Sequence, residues 1–461
     1  MLRLNQGVIK CYFMLWCLWW IEDKLKGYEL MKKSRFLNIF KSGEVYLLHN
    51  ALRGTLLKVK SPNTRAVVDD LETAKRFDYI EDNKFHKTLK DLHMIVEDDM
   101  NEGNLLNYYY SESKRNFLYV LPIVTRQCNF RCTYCYQKHE NKVMNSEVYE
   151  NLLLAIENEV ERKGYKTVLM SFFGGEPLLE YESICNFMEK AQVLAEAKSV
   201  KVNGWMTTNA YLLSFDRFSR LVELGVTHYQ ITVDGLKEPH DKNRFLVNGV
   251  GTWDSILKNL QDAKSSALDF KIVLRTNFDA HLATDFENYL KFMSEIVSDD
   301  SRFVFTFGAV KNLGVLPEND LVEQAEESDV TKQMSVFAKN LNLGILEQAW
   351  APLSGMCYAA LANSFVIDTD GSLLKCTTMI DDCENCVGKL TEKGFEVNDE
   401  KICKWVSYDL PAECEDCPIL PLCYGRKCPP VVWRKKMNDP DYCKNQVKFY
   451  EGYMKIAFLD G

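Results

Sequence analysis

The chain has no long hydrophobic run. Its longest apolar stretch, Cys11–Ile21 (CYFMLWCLWWI), holds eleven residues, where a membrane-spanning helix needs about 20. No membrane span is expected. The charged, bulky IEDKLKGYELMKK that follows carries no small-residue cleavage site, so a secretory signal is not expected either. Met31 opens MKKSRFLNIF, and residues 1–30 are read as an extension outside the native fold. The competing reading is a short membrane-surface or partner-binding helix. Basic excess is also absent. The net charge is −9, which argues against a dedicated nucleic-acid binder.

Cysteine is missing from most of the chain and crowded into two places. None lies between Cys17 and Cys128, and only Cys185 lies between Cys135 and Cys357; ten of the sixteen fall from Cys357 to Cys443. Without a secretory signal, such crowding favours metal or redox chemistry over a disulfide framework. A cytoplasmic location is expected.

At 461 residues with 46% apolar content, the chain has room for about two to four globular domains. Residues 42–60 read as a hairpin, with strands at Val45–Leu48 and Thr55–Val59. Residues 62–115 read as helical, completing a small α+β unit over 31–115. From 116 to 345 the pattern alternates strand and helix. Strands are predicted at Leu118–Val124, Thr167–Phe173, Val200–Thr207, Thr227–Val233, Phe270–Thr276 and Phe303–Phe307. Repeated βα units imply a parallel sheet covered by helices. Six of them suggest a partial or full barrel, although periodicity alone does not separate this from an open sheet. Residues 346–461 are rich in Cys and Pro, need a metal staple to hold them, and end in a helix near 440–457.

The segment Cys128-Asn-Phe-Arg-Cys132-Thr-Tyr134-Cys135 has C-x3-C-x2-C spacing. Thiolates hold iron–sulfur clusters. Three local thiolates on a four-iron cube leave one iron open to chelation by a small molecule. The alternative is a zinc site completed by His139 or a remote cysteine, but structural zinc usually has paired C-x2-C ligands. Gly174-Gly175-Glu176-Pro177 follows the second strand, Thr208-Asn209 the third and Asp234-Gly235 the fourth. Parallel-strand folds place active sites on such carboxyl-end loops.

CNFRCTYCY followed by FFGGEP resembles the radical S-adenosylmethionine (SAM) superfamily. The resemblance implies a partial (β/α)6 TIM-type barrel and a [4Fe–4S] cluster on Cys128, Cys132 and Cys135. The open iron of that cluster binds SAM. One electron then cleaves the sulfonium to a 5′-deoxyadenosyl radical, which abstracts hydrogen from a substrate C–H bond. Gly174, Gly175, Glu176 and Pro177 would line the SAM amino end, with Glu176 accepting from its ammonium. Tyr134 would pack on the nucleobase or serve as wall packing. Thr208, Asn209, Thr232, Asp234, Arg244 and Arg275 are further candidate contacts, arginine being suited to a carboxylate.

The downstream cysteines resemble the SPASM extension, which carries two auxiliary [4Fe–4S] clusters, for three in all. By resemblance Cys414, Cys417, Cys423 and Cys443 hold the outer cluster, and Cys357, Cys376 and Cys428 the inner one. CYGRKC has four residues between its cysteines, where the family usually has three. No fourth inner ligand is evident upstream of Cys357; Cys383, Cys386 or Cys403 would complete the cluster, or its open iron would take a substrate thiolate. Residues 31–115 resemble winged-helix-like leader-recognition units, which bind a peptide by β-augmentation. The implied activity is a peptide maturase. It installs a Cys thioether, of sactipeptide or ranthipeptide type, in a leader-bearing, Cys-containing precursor, with flavodoxin or ferredoxin as electron donor. A sulfatase-maturing, formylglycine-generating enzyme is the alternative, then a carbon–carbon cross-linking maturase. A non-catalytic iron–sulfur protein is the alternative of another class.

Overall fold

A computed structural model of the chain describes residues 30–73, 77–79, 83–113, 116–310, 324–346, 356–407, 414–425, 428–429 and 442–459. The proposed extension over 1–30 lies outside these, apart from its last residue, as do Arg426 and Lys427. The chain divides into two compact units that do not follow chain order. One comprises residues 1–112, 347–357 and 409–461, the other 113–346 and 358–408. The segment expected to form one C-terminal domain is thus shared between them.

The first unit begins with β1 (Leu30–Lys33), β2 (Leu37–Ser42), β3 (Val45–Asn50) and β4 (Thr55–Val59), followed later by β5 (Phe77–Asp78) and β6 (Ile95–Glu97). Strands β2, β3 and β4 form an antiparallel meander, and β5, β1 and β6 a second small sheet. The region 62–115 is therefore not wholly helical: β5 and β6 separate the helices Pro62–Thr73, Lys84–Asp91 and Glu102–Ser113. Strand β3 lacks a polar face because both of its faces are covered. Tyr46 and Leu48 join a core with Val68, Leu71 and Leu89. Leu47 joins a second core with Leu106, Ile419, Leu422 and Met454. The C-terminal helix Tyr442–Phe458 contributes Tyr450, which sits edge-on to Phe40 at 5.6 Å. Apolar packing, not metal alone, therefore holds the last cysteine-bearing stretch.

The second unit is built on β7 (Phe117–Thr125), β8 (Thr167–Gly174), β9 (Lys201–Thr208), β10 (Val226–Thr232), β11 (Lys271–Phe278) and β12 (Phe303–Ala309). All neighbouring pairs are parallel and lie in chain order. An open doubly wound sheet reverses its strand order; this one does not, which identifies the barrel arrangement. The barrel is partial. The free edge of β7, where β12 would close it, is taken by β13 (Ser364–Ile367), running parallel to β7. Strands β14 (Ser372–Leu374), β15 (Cys386–Thr391) and β16 (Gly394–Val397) continue the sheet antiparallel. Residues 358–408 thus extend the barrel sheet, which the short, uneven apolar runs in that segment did not reveal.

Along each strand one set of side chains packs on helices, as Phe172 does on Phe187 and Tyr229 on Phe218. The alternate set faces inward, including Trp205 stacked on His228 at 5.1 Å. Among the described residues no helix is long and apolar enough to cross a membrane. Gly204 sets the β9–β10 spacing: a Cβ there would lie 2.9 Å from Val226 Cα. Gly204→Ala should cost about 1–3 kcal/mol and lower the thermal midpoint by several degrees, measured by calorimetry.

Candidate iron–sulfur and SAM site

Strand β7 ends at Thr125, and the chain enters the three-cysteine loop. The next strand end holds it there. Gly175 N–H donates to Thr125 O (2.9 Å) and Glu176 N–H to Gln127 O (2.8 Å). Two glycines are needed for this approach: a Cβ on Gly174 would collide with the Thr125 carbonyl, and one on Gly175 with the Gln127 carbonyl. Gly174 also sits at φ +150°, which favours glycine.

Glu176 is fully buried. Its Oε1 accepts from Thr208 Oγ1 (2.6 Å) and Leu178 N–H (3.0 Å), and its Oε2 from Asn209 N–H (2.7 Å). Burial pushes this carboxyl up from its ordinary value, and these donors act against the shift. The expected ammonium acceptor is thus first a brace between β8 and β9. Pro177 opens the short helix Pro177–Glu180, with Glu176 as its cap. Asn209 then reaches the loop: its Nδ2 donates to Asn129 Oδ1 (2.8 Å) and lies 4.0 Å from Cys128 Sγ.

Tyr134 is half-buried and its hydroxyl is engaged. Its hydroxyl donates to Asp234 and accepts from Arg244 Nη1 (2.7 Å). Asp234 also accepts from Asn277 N–H (2.7 Å) and lies 3.8 Å from Arg244. Burial pushes the Asp234 carboxyl up, and Arg244, Tyr134 and the Asn277 amide oppose this. Arg275 donates to Asn277 Oδ1 (3.0 Å), and burial lowers its pKa. Thr232 is half-buried opposite Arg275 in the β10–β11 register. Residues from the ends of β8 to β11 thus surround the loop.

The far side of the loop is held by a feature the sequence reading missed. Residues 243–251 form a hairpin that pairs with the loop backbone: Val247 N–H donates to Asn129 O, Arg131 N–H to Phe245 O, and Thr133 N–H to Asn243 O. Phe130 bridges Leu246. The signal was present as Asn248-Gly249, with Gly249 at φ +83°.

The three loop thiols suit a cluster. Cys128, Cys132 and Cys135 are half-buried and free. Burial pushes the Cys128 thiol up to about 12, with Glu176, Cys132 and Cys135 adding to the rise. Burial likewise raises Cys132, against Arg244. Among the described residues no three His, Cys, Asp or Glu side chains converge as ligands of one ion would. A four-iron cube instead takes ligands spread over its corners. Two buried donors in this region, Asn129 Nδ2 and Arg244 Nε, have no partner among the described residues, and an acceptor-rich ligand such as an amino acid carboxylate would satisfy them.

The downstream cysteines fall in both units. Cys376 belongs to the barrel unit, as do exposed Cys383 and Cys403 and half-buried Cys386. Tyr136 lies among Cys135, Cys376 and Thr377: burial pushes its hydroxyl up to about 12, with both thiols contributing. Cys357, Cys414, Cys417, Cys423, Cys428 and Cys443 belong to the other unit. There burial raises the Cys417 thiol, with Cys423 and Cys443 adding to it, and Cys417 N–H donates to Cys414 O at 3.3 Å. Cys423 and Cys443 thus lie near enough to Cys417 to influence its thiol; Cys357 and Cys428 are half-buried.

Glu176→Gln would set an amide N–H2 against existing donors. Hydrogen bonds to charged groups are worth about 1.5–3 kcal/mol, so SAM binding should weaken roughly 10- to 100-fold and iron content should fall with it. Equilibrium dialysis alongside iron analysis measures both.

The chain was compared with known proteins. A match to the Radical SAM superfamily covers residues 122–291. The Cysteine-type anaerobic sulfatase-maturating enzyme of Clostridium novyi (strain NT) is 25% identical over 362 residues, 70% of this chain and 91% of its own. A GTP 3′,8-cyclase of Campylobacter jejuni is 30% identical over 169 residues, 35% of this chain and 47% of its own. Among solved structures, anSMEcpe with bound AdoMet superposes with a TM-score of 0.56 at 20% identity, covering 75% of this chain and 94% of that one. Streptococcus suis SuiB bound to precursor peptide SuiA has a TM-score of 0.51 at 13% identity, covering 87% and 97%. These two likenesses concern fold. With the superfamily match, the ordered strand sequence and the glycine-clamped cysteine loop, residues 122–291 form a radical SAM domain.

Proposed function

We propose that this enzyme installs a thioether in a ribosomally made, Cys-containing precursor peptide. The observation that carries the reading is the N-terminal unit. Before the barrel begins, the chain has folded a three-stranded meander whose edge strands, β2 and β4, each pair only with β3 among the described residues. Such edges suit β-augmentation by an extended leader. The SuiB likeness extends over 87% of the chain, further than the 75% of anSMEcpe, which is consistent with a unit ahead of the barrel.

In this reading Cys128, Cys132 and Cys135 would hold a [4Fe–4S] cluster beside SAM, and the bound pair would supply radical chemistry for hydrogen abstraction. The chain's own residues position the partners. Gly174–Pro177 and Asn209 hold the cysteine loop against the β8 and β9 ends. Arg244, Arg275, Thr208 and Thr232 line the SAM side, with Asp234 fixing Tyr134 beside Arg244. Cys414, Cys417, Cys423 and Cys443 would hold an outer auxiliary cluster, and Cys376 would be a ligand of an inner one. A cluster held by these cysteines would supply an acceptor for the second electron. An external donor such as flavodoxin or ferredoxin supplies the first electron, in the cytoplasm.

The second reading is oxidation of a Cys or Ser to formylglycine. It is favoured by the 25% identity to the sulfatase-maturating relative across 91% of that protein.

Reduced, anaerobically reconstituted enzyme should release 5′-deoxyadenosine from SAM, and Cys128→Ala should abolish release. Three four-iron clusters give about twelve irons per chain; about four would remove the auxiliary assignment. Deletion of residues 31–115 should abolish modification of a leader-bearing peptide. Mass spectrometry separates the readings: loss of two hydrogens with a blocked thiol indicates a thioether, and formylglycine indicates the alternative.

A further inference from the structure

The loop carrying Cys376 is organised by one side chain to which nothing above gives a role. Asn385 is fully buried, between Cys383 and Cys386. Its Oδ1 accepts from Lys375 N–H (3.0 Å) and Cys376 N–H (2.8 Å). Its Nδ2 donates to Cys376 O (2.8 Å) and Met379 O (3.0 Å). Both amide hydrogens and both lone pairs of the oxygen are therefore used. The orientation is unambiguous, because one end faces two donors and the other two acceptors.

Two of these four bonds fall on the N–H and C=O of Cys376, so both backbone polar groups of the cysteine are pinned. Asn385 N–H donates in turn to Asp382 O (3.0 Å), and Asp382 N–H to Met379 O (2.9 Å), closing the 376–385 loop on itself. The sulfur is left to other uses: Cys376 is half-buried, and its Sγ lies 3.1 Å from Thr378 Oγ1.

The loop is also pinned from outside. Arg126, two residues before Cys128, donates from Nη1 to Asp381 Oδ1 (2.7 Å) and Glu140 Oε2 (2.7 Å). Its Nε and Nη2 grip Asp368 bidentately at the β13 end. Tyr358 OH accepts from Thr377 N–H (3.0 Å). A loop fixed at this many points presents its thiol in one place.

We propose that Asn385 is the positioning residue for Cys376, presetting its thiolate for a metal cluster before metal arrives. The proposal rests on the reading of Cys376 as an auxiliary-cluster ligand. No isostere replaces it. Aspartate would place a negative oxygen against the Cys376 and Met379 carbonyls, and serine would leave most of the four partners unsatisfied in a buried site.

The test compares full-length wild type, Cys376→Ala, Asn385→Asp and Asn385→Ser, reconstituted anaerobically with iron and sulfide. Paramagnetic resonance of the reduced proteins is read with and without SAM. The signal that shifts on adding SAM reports the Cys128–Cys135 cluster; a signal that does not shift reports auxiliary clusters. Cys376→Ala and Asn385→Asp are expected to lose or alter the same SAM-insensitive component by more than half of its intensity, leaving the SAM-responsive signal intact. An unchanged SAM-insensitive spectrum in Asn385→Asp, beside an altered one in Cys376→Ala, overturns the positioning role. An unchanged spectrum in Cys376→Ala overturns the ligand reading and this proposal with it. If Asn385→Asp fails to fold, Asn385→Ser decides by the same readout. In metal-free protein, alkylation of Cys376 followed by peptide mass spectrometry gives a second measure: its rate should change several-fold in both Asn385 variants, and an unchanged rate counts against presetting.

Discussion

One buried carboxylate holds three strand ends in register. Glu176 belongs to the β8 end, its side chain ties down Thr208 and Asn209 at the β9 end, and its backbone N–H donates to Gln127 beyond the β7 end. Burying a carboxylate is costly unless its oxygens are occupied, and here three donors occupy them. The arrangement works only because Gly174 and Gly175 let the backbones touch. Cys128 follows directly from this junction, so the first thiol inherits its position from a knot made of backbone and one acid. The 243–251 hairpin holds the opposite side of the loop, and the three cysteines hang between two fixed edges.

The charged groups beyond the knot form a second layer. Tyr134 stands between Asp234 and Arg244, so a buried acid and base are joined through a hydroxyl. A lone buried ion of either sign would cost several kcal/mol; the trio shares the burden. Arg244 Nε has no partner among the described residues.

The site was legible in the sequence where chemistry is local. The cysteine spacing, the Gly-Gly-Glu-Pro run and the six barrel strands all depend on near neighbours or on period-two patterning. The meaning of particular residues was not. Tyr134 reads as an aromatic available for stacking, and only the distant Asp234 and Arg244 show that its hydroxyl is engaged. Glu176 reads as a ligand acceptor, and only its contacts across strands show a brace. Strands β13 to β16 were missed because no local pattern marks them: β13 is specified by pairing to β7, and the others by pairing in turn onto β13. Residues 346–461 read as a stretch needing metal, yet Ile419, Leu420, Leu422, Tyr450 and Met454 share a buried core with residues of the N-terminal sheet. That core has no sequence period, because its parts lie hundreds of residues apart.

The central claim is an open iron on the Cys128–Cys135 cluster that chelates SAM. Electron–nuclear double resonance tests it directly, on the reduced enzyme with SAM labelled by nitrogen-15 at its amino group. The account predicts a hyperfine coupling from that nitrogen to the cluster, absent in Cys128→Ala. A reduced cluster that shows no such coupling at saturating SAM would contradict it.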